Sequence, residues 1–563
     1  MICIFAAVIR FSGLGQLPTG TYWDEIAILA DAKKVALTGT DLHGLSPWHL
    51  IYPSYGDYKL APYIWAVIPF VRLLGATPTA LRFPSALAGL ATLLAVSGLA
   101  YLWTKRFANC SLARLAALSV ALIVAISPWS LLFSRTAFEG HLAQALLGLA
   151  ALALTAFWEE IPFKPSKNRF AHASMLILAG VLGGFAFWTY FSVRFVWPFV
   201  AGFICLYYCL ATRQHHRFFM ALGTLAVIFT LMLIPMSRDP SYQVSNDLRL
   251  GTASILNDPT LPHFVNAQRL AAGNNLLSRL IYTQKLAQAQ RLAVNYSRHL
   301  DFAYLFLHGD ANLRHSTGFT GLFYLWCAPL LIIGIAFLAR RDYHLAFVIL
   351  AWWLIALLPA SVPTTAVPHA LRSLNALIPA CLLIGWGLTA FLQFIFNAIN
   401  KYKISKLHTI CLYIFLALIP LYSLARFAWY YTRVYPTISA PHWQAASTRH
   451  AAILHEQNDH FDTLYTLGLD QFLYLWYIVH PDFDVRTLPA SKDYRFATLD
   501  HVHFDAPAET DDTTGHIFLL GIASLVQDYL ANHPRPYSVL YDYQDAGEHY
   551  LGVDLEATAS AEP

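Results

Sequence analysis

Hydrophobic residues occur in long uninterrupted blocks along most of this chain, and a helix needs about 20 such residues to cross the hydrocarbon core of a bilayer. A further block, residues 60–74, is shorter and contains Pro62 and Pro69. The pattern predicts a mainly α, polytopic membrane protein with about eleven transmembrane helices. The predicted spans are 1–15, 83–103, 115–133, 140–158, 173–190, 195–212, 218–236, 319–339, 344–360, 373–398 and 408–429.

The distribution of Lys and Arg predicts how these helices are oriented. If the N terminus is inside and 60–74 does not cross, the inner connections hold Lys105, Arg106, Arg114, Lys164, Lys167, Arg169, Arg213, Arg217, Arg340, Arg341, Lys401, Lys403 and Lys406. The short outer connections then hold only Arg135, Arg194 and Arg372. This bias follows the positive-inside rule. Four cations of the first outer loop run against it: Lys33, Lys34, Arg72 and Arg82.

Two domains follow from the positions of the polar segments. Residues 1–429 form the predicted transmembrane domain, with large outer loops at 16–82 and 237–318. The second loop shows apolar positions at helical spacing between 274 and 300,. Residues 430–563 have no long apolar run, and they predict a small extracytoplasmic α/β domain. Its expected strands lie at 461–469, 516–522 and 537–543, and its expected helices at 471–479 and 523–532.

Composition supports lipid as the solvent for most of the chain. Of the 563 residues, 57% are hydrophobic and only 12% are charged, with a mean hydropathy of +0.47. Soluble domains carry about 25% charged residues. The net charge of +4 is small and spread along the chain, which argues against a nucleic acid partner,. The seven cysteines lie in or beside apolar segments, so we expect them to pack in the core rather than form disulfides,.

An adjacent pair of carboxylates, Asp24 and Glu25, begins a predicted amphipathic helix that ends at Gly39. Acids in a first helical turn are often only solvated groups that the helix dipole stabilises. This pair, however, follows a predicted membrane span by a few residues and comes directly after Tyr22 and Trp23. The helix N terminus favours an ionised Asp24, which could accept a proton from a hydroxyl or amine. We therefore predict that Asp24 is a catalytic base and that Glu25 is a further substrate-site candidate.

The three isolated outer arginines, Arg135, Arg194 and Arg372, are a second signal. A charge at the edge of the hydrocarbon is costly and often marks a site or an ion pair. Each arginine could instead snorkel to lipid headgroups. Their shared face favours a binding role, because the guanidinium fork suits phosphate oxygens. We predict phosphate binding by Arg194 and Arg372 and a substrate-site position for Arg135.

Five other residues are weaker candidates. Lys59 is either a phosphate contact or an interfacial lysine, and Tyr55 and Asp57 lie beside it in the polar segment YGDYK. Glu139 forms either a salt bridge with the arginine four residues before it or a second active-site acid. His369 is more often a packed or capping histidine than a ligand.

The sequence offers no motif for a bound cofactor. No group of His, Cys, Asp or Glu residues has metal-ligand spacing, and there is neither a P-loop nor a G-x-G-x-x-G motif,. We predict no metal and no cofactor, and no soluble nucleotide-sugar donor. The sequence does not settle whether acids such as Glu25 and Asp57 bind a divalent cation.

The order of four segments, LPTGTYWDE, LTGTDLHG, YGDYKLAPY and LRFPSALAGL, resembles that of polytopic GT-C glycosyltransferases. The segments WTYFSVR and PHALRSLNALIP are also similar to bacterial members of the branch with protein O-mannosyltransferases and lipid A aminoarabinose transferases. The resemblance is specific over about 1–210 and weaker over 319–400. In one departure, Leu60 and Ala61 separate Lys59 from a proline that often follows the lysine directly.

This resemblance implies an inverting glycosyltransferase of the bacterial plasma membrane. Its donor would be a polyprenyl-phosphate-linked sugar, and transfer would occur on the outer face, in contact with membrane lipids. The matching positions imply that Asp24 is the base, that Lys59 contacts the lipid phosphate, and that Glu139 lies near a second acid. The sequence identifies neither the sugar nor the acceptor, which is a protein, a lipid or a glycan.

Two other functions fit parts of the pattern. A ligase or polymerase of lipid-linked oligosaccharides would use Arg372 and His369 rather than Asp24. A non-catalytic lipid transporter would place polar residues and broken helices near mid-bilayer, whereas the charges of this chain gather at one predicted face.

Overall fold

The computed structural model describes residues 1–55, 57–159, 169–248, 254–489, 496–508 and 515–556, with side chains from residue 173 onwards in the segment that begins at 169. Lys164 and Lys167 of the charge argument lie outside these ranges. The chain divides into two compact units. Unit 1 contains Met1–Ser12 and Ser85–Tyr431, and unit 2 contains Gly13–Pro84 and Thr432–Pro563. The first predicted outer loop therefore belongs to the same unit as the C-terminal segment.

Helices make up nearly all of the described chain as far as residue 433. The N-terminal elements are α1 (Ile2–Phe11), α2 (Trp23–Thr38), β1 (Ile51–Ser54), β2 (Asp57–Leu60), α3 (Ala61–Leu74), α4 (Pro78–Phe107), α5 (Cys110–Ile126), α6 (Pro128–Phe133), α7 (Glu139–Glu159), α8 (Arg169–Thr189), α9 (Phe191–Thr212) and α10 (His215–Ser237). Next come α11 (Tyr242–Asp247), α12 (Thr260–Ala271), α13 (Leu276–Ile281), α14 (Gln284–Arg298), α15 (Phe302–Phe306), α16 (Cys327–Arg341), α17 (Tyr343–Ser361), α18 (Leu377–Lys401) and α19 (Lys406–Arg433). The helical pattern predicted at 274–300 corresponds to α13 and α14.

Each of the predicted spans overlaps at least one of these helices. Within the described ranges, seven helices have the length and hydropathy to cross a membrane. They are α4, α7, α9, α10, α17, α18 with its preceding turn, and α19. The other predicted spans lie on α1, α5 and α16, which are shorter, and on α8, whose described side chains cover Ala173–Thr189. The chain is an integral membrane protein, and the number of about eleven spans stays a prediction. The block 60–74, which is predicted not to cross, corresponds to α3, which has 14 residues, fewer than the roughly 20 that a spanning helix needs.

The C-terminal part of unit 2 is the α/β fold that the sequence predicts. Its elements are α20 (Tyr435–Ser439), α21 (Ala445–Gln457), β3 (Thr463–Leu467), α22 (Leu473–Val479), β4 (Thr498–Leu499), β5 (Val502–His503), β6 (Ile517–Ile522), α23 (Ala523–Asn532), β7 (Tyr537–Asp545) and β8 (Glu548–Leu555). The strands form one sheet in the order β4-β5-β3-β6-β8-β7. β3 runs parallel to β5 and β6, and β8 runs antiparallel to β6 and β7. Tyr465, Leu519, Val526 and Val553 are buried in its core.

Helix α2 is the helix that the sequence predicts between the carboxylate pair and Gly39, and it is buried on its polar side as well as on its apolar side. It begins after Tyr22, which has extended backbone, and ends at Gly39, which has a φ of 80°. Only glycine adopts that left-handed conformation at little cost. Its polar residues Asp31, Lys33 and Lys34 are 1%, 6% and 5% exposed. Tertiary bonds to these residues replace the solvent that a surface helix would need.

The two lysines of α2 bind backbone carbonyls of the C-terminal segment in the same unit. Lys33 Nζ donates to the carbonyls of Ile478, His480 and Phe483 at 2.8–3.0 Å. Lys34 Nζ donates to the carbonyls of Val485 and Leu488 at 2.9 and 2.7 Å. Since α22 ends at Val479, Lys33 satisfies carbonyls at a helix C terminus, where the helix dipole favours a cation.

Replacing Lys33 with Met should loosen the segment 478–483. A hydrogen bond to a charged group contributes about 1.5–3 kcal/mol, and this change leaves several buried carbonyls without their donor. We expect faster amide exchange from 478 to 488 and unchanged exchange in α23, measured by hydrogen–deuterium exchange with mass spectrometry. Lys285→Met, at an exposed position of α14, is the control. Equal exchange in the two variants would show that Lys33 does not hold this segment.

Candidate active site

Helix α2 and the β1–β2 hairpin place three of the predicted residues together. Asp24 lies in the first turn of α2. In the hairpin, Lys59 is paired with Tyr52 and Asp57 with Ser54. Tyr55 follows β1 with a φ of 36°, a left-handed conformation that suits a tight reversal between antiparallel strands. The hairpin thereby brings Tyr55 and Lys59 to the start of α2.

Asp24 is bound by two donors on one of its oxygens. Lys59 Nζ and Tyr55 Oη both donate to Asp24 Oδ1. The Lys59 side chain is 5% exposed, whereas that of Asp24 is 27% exposed. Lys59 Nζ also lies 5.2 Å from the centre of the Tyr55 ring, in a cation–π contact,. The partly exposed Asp24 carboxylate is therefore bound by the nearly buried Lys59 ammonium group.

Tyr55 remains a hydrogen-bond donor in this environment. Burial raises the pKa of its phenol well above the usual value, and the Asp24 carboxylate raises it further, while Lys59 opposes the shift. The proton therefore stays on Tyr55 Oη at neutral pH. Asp24 Oδ1 accepts both contacts, and a carboxylate that accepts hydrogen bonds in its ionised form can act as a general base.

Aromatic side chains of the C-terminal segment border this group in unit 2. The Phe472 ring lies 4.9 Å from that of Tyr55 and 5.9 Å from that of Trp23. Gln444 Oε1 accepts a hydrogen bond of 2.7 Å from the backbone N–H of Trp23, and Gln444 Nε2 donates to Asp470 Oδ2. The first turn of α2 is therefore held by residues that lie more than 400 positions later in the chain.

Glu25, the other acid of the pair, is occupied by an arginine. Its carboxylate forms a salt bridge of 2.8 Å with Arg82, and both side chains are fully buried. Arg82 also donates to the Pro18 carbonyl at 2.8 Å and lies over the Trp443 ring. A fully buried, paired carboxylate does not contact a substrate, so we assign Glu25 to holding the loop before α2. The sequence indicated Arg82 only as a charge of the first outer loop. It did not indicate the pairing with Glu25, because the two residues are 57 positions apart.

Two of the predicted outer residues of unit 1 lie at helix ends. Arg135 is buried and donates to the carbonyls of Ile9 and Arg10 at 2.9 and 3.1 Å, so it caps the last turn of α1. Glu139 is half-buried at the first position of α7. The capping bonds give Arg135 a structural role that the sequence did not indicate.

The two predicted phosphate-binding arginines also lie in unit 1. Arg194, in the first turn of α9, stacks on Phe191 with 4.1 Å to the ring centre and donates to Asn246 Oδ1 at 3.3 Å. Arg372 follows α17 and donates to the Thr365 carbonyl at 3.2 Å. Both are half-buried. Asp24 and Lys59 belong to unit 2, so the shared phosphate site of these four residues stays a prediction.

His369 belongs to a buried cluster that the sequence did not reveal. Asp310, His315 and His369 are each less than 9% exposed, and their potential ligand atoms lie within 4.8 Å of one another. Burial lowers the pKa of His315, and burial together with His315 and Arg372 lowers that of His369. Both rings are therefore neutral imidazoles. His369 comes about 50 residues after His315, a separation too long for any local metal motif to signal.

No family model matches this chain, and no curated protein sequence does.

Comparison with solved structures gives a clearer result. ArnT from Cupriavidus metallidurans in the apo state has a TM-score of 0.51 at 13% identity, covering 98% of this chain and 97% of that chain. The same protein bound to undecaprenyl phosphate has a TM-score of 0.49 at 14% identity, with 100% and 98% coverage. An Archaeoglobus fulgidus oligosaccharyltransferase tethered to an acceptor peptide has a TM-score of 0.45 at 14% identity, covering 85% of this chain and 62% of that chain. The likeness to apo ArnT over nearly the whole of both chains shows that this chain has the GT-C fold, as its motif order predicts.

Proposed function

We propose that this chain is an inverting glycosyltransferase. It moves a sugar from a polyprenyl-phosphate-linked donor to an acceptor at the outer face of the membrane in which it lies. The observation that carries the proposal is the partly exposed Asp24 carboxylate held by the nearly buried Lys59. Such a transfer needs a base that accepts the proton of the acceptor and a cation that stabilises the leaving phosphate, and Asp24 and Lys59 can supply them. The donor class follows from the motif resemblance, and the GT-C fold is consistent with it.

The transfer is a single displacement at the anomeric carbon. An acceptor oxygen or nitrogen attacks this carbon, its proton passes to Asp24, and the carbon–oxygen bond to the lipid phosphate breaks. The bonding electrons leave on polyprenyl phosphate, where negative charge grows. Lys59 stabilises this charge by a preorganised electrostatic contact.

Lys59 also couples donor binding to the base. In the structure its ammonium group is bound to Asp24 Oδ1. A lipid phosphate that enters the site competes for this ammonium group, because a phosphate oxygen is an equally strong acceptor. As Lys59 turns towards the phosphate, the charge that stabilises ionised Asp24 becomes weaker. Asp24 is therefore a stronger base when the donor is present.

The function can be tested by comparing envelope glycans of cells with and without the gene. We expect one glycan modification to disappear in the deletion strain and to return with the wild-type gene. Identical glycan profiles in the two strains would contradict the proposal. A ligase would instead form a longer oligosaccharide product. Loss of that product in variants of Arg372 and His369, but not in a variant of Asp24, would support a ligase.

Replacing Lys59 with Met should weaken donor binding and also slow the chemical step, because Lys59 stabilises the charge that grows on the leaving phosphate. One hydrogen bond to a charged phosphate corresponds to about 1.5–3 kcal/mol, or roughly a 10- to 100-fold decrease in kcat/KM for the lipid-linked sugar. Lys59→Arg should retain most of the activity, since it keeps the charge. Steady-state kinetics of the purified protein in nanodiscs would measure both variants. An unchanged kcat/KM in Lys59→Met would remove Lys59 from the donor site.

A further inference from the structure

The buried cluster of unit 1 joins two loops through one carboxylate group. Asp310, in the loop after α15, accepts a hydrogen bond of 2.9 Å from the backbone N–H of Asn312 on Oδ1 and one of 2.8 Å from that of Ala370 on Oδ2. The Oδ2 atom also lies 3.4 Å from His315 Nδ1 and 4.0 Å from His369 Nδ1. The two imidazole rings are 4.3 Å apart between their centres. Asp310 and His315 from one loop and His369 from the other therefore bring their polar atoms close together.

These polar atoms face one another. His369 Nδ1 accepts a hydrogen bond of 3.4 Å from the backbone N–H of Arg372, so this nitrogen is unprotonated, and a metal ion bound to it would replace this contact. His315 Nδ1 is buried and makes no hydrogen bond within the part of the chain that the structure describes. Buried polar atoms nearly always have a partner. A cation bound between the three side chains would supply that partner for His315 Nδ1.

We propose that Asp310, His315 and His369 bind one divalent transition-metal ion, with Zn²⁺ as the best fit. Two imidazole nitrogens and one carboxylate oxygen are a usual protein ligand set for zinc. Tetrahedral coordination at about 2.0–2.1 Å separates neighbouring ligand atoms by about 3.4 Å. The Asp310–His315 separation already has this value. Zinc binding would shorten the Asp310–His369 separation of 4.0 Å to about this value, and the ligand atoms of the two histidines, which lie within 4.8 Å of each other, would also move closer,.

Hydrogen bonds to the backbone around the three side chains hold these side chains in place, as is usual around metal ions. The backbone N–H of His369 donates to His299 Nε2 at 3.2 Å, and His299 Nδ1 in turn donates to the Asn295 carbonyl at 2.9 Å. The Ala370 carbonyl accepts a bond of 3.2 Å from Trp129 Nε1. The cluster therefore lies on a rigid framework.

The metal ion would fix the loop that carries Arg372. This arginine lies three residues after His369, and its own N–H contacts the ring of His369. A bound ion thus holds the two loops together and presents the Arg372 side chain from a defined backbone. This role is structural, and it does not depend on the identity of the reaction.

Metal content can be measured directly on the intact protein. We expect about one zinc per chain by plasma mass spectrometry after purification in metal-free detergent buffer, or one titratable Zn²⁺ site if the ion is lost during purification. His315→Ala should reduce zinc at least tenfold. His308→Gln, at an exposed position of the same loop, should retain it. Zinc-free wild-type protein that takes up no Zn²⁺, or equal zinc in His315→Ala, would overturn the proposal.

A cysteine variant separates loss of the ligand from loss of the fold. His315→Cys keeps a zinc ligand, because a cysteine thiolate coordinates this ion well. We expect it to retain the metal and, when loaded with Co²⁺, to show a sulfur-to-cobalt charge-transfer band that wild type lacks. A folded His315→Cys protein that binds neither Zn²⁺ nor Co²⁺ would also overturn the proposal. Neither measurement uses transferase activity, so failure of the proposed function would not affect the result.

Discussion

Replacing Asp24 with Asn should reduce glycosyl transfer by about 10²- to 10⁴-fold, the usual contribution of a general base. Asparagine keeps the shape and accepts the contacts from Lys59 and Tyr55, but it cannot take the acceptor's proton. We expect the loss in kcat rather than in the amount of inserted protein. Rates of sugar transfer in membranes, normalised to protein level, would measure it.

Asp482→Asn is the matched control for this change. Asp482 lies in the same unit, its side chain is 77% exposed, and its replacement removes the same charge. We expect near wild-type transfer and an unchanged melting temperature from Asp482→Asn. Asp24→Asn should melt at a lower temperature, because it leaves the nearly buried Lys59 without its counter-ion,. Near-normal transfer by Asp24→Asn would exclude Asp24 as the base, whatever the behaviour of the control.

Replacing Arg82 with Met should destabilise unit 2 by about 3–5 kcal/mol, because it leaves the buried Glu25 carboxylate without its cation. The variant also loses the bond from Arg82 to the Pro18 carbonyl. We expect a large drop in the melting temperature, followed by tryptophan fluorescence. Trp443 lies 5.6 Å from the Arg82 guanidinium carbon and should report the change directly.

Two variants test whether the ion pair causes that loss. Arg72→Met, at an exposed position of α3, should have little effect. The double variant Glu25→Gln/Arg82→Met should recover part of the lost stability, since it no longer buries an uncompensated charge. If the double variant melts at or below the temperature of Arg82→Met, the coupling between the two charges is weaker than their burial suggests.

Much of the fold could be predicted from local patterns. Long apolar blocks mark the helices because each must satisfy its own backbone in lipid. α23 has the bounds that the sequence predicts, Ala523–Asn532. In the C-terminal sheet, β8 and the two-residue strands β4 and β5 were not predicted. β8 pairs with β6 and β7, so its position depends on partners that a local pattern does not reveal.

The candidate site was only partly predictable, for the same reason. Asp24, Tyr55 and Lys59 come from nearby motifs, and a short hairpin is enough to bring them together. The partner of Glu25 and the carbonyls that bind Lys33 lie far away along the chain. The cluster around Asp310 had no sequence signal at all, since its histidines are far apart and a lone histidine usually indicates packing.

The close contact between Asp24 and Lys59 explains how one site could hold both charges before the donor arrives. Each neutralises the other, so neither the nearly buried ammonium nor the carboxylate carries an uncompensated charge,. In the proposed reaction, donor phosphate replaces the carboxylate as the partner of Lys59. This reaction would end with a protonated Asp24 and a polyprenyl phosphate, and release of the proton and of the lipid would restore the pair.

The most direct test of this account is the amount of intact lipid-linked donor in cells. Lipid extracts of strains carrying wild-type protein, Asp24→Asn or Asp482→Asn would be compared by mass spectrometry. We predict that one polyprenyl-phosphate-linked sugar accumulates with Asp24→Asn and remains low with wild type and Asp482→Asn. If all three strains contain the same set of lipid-linked sugars, this chain does not consume such a donor through Asp24.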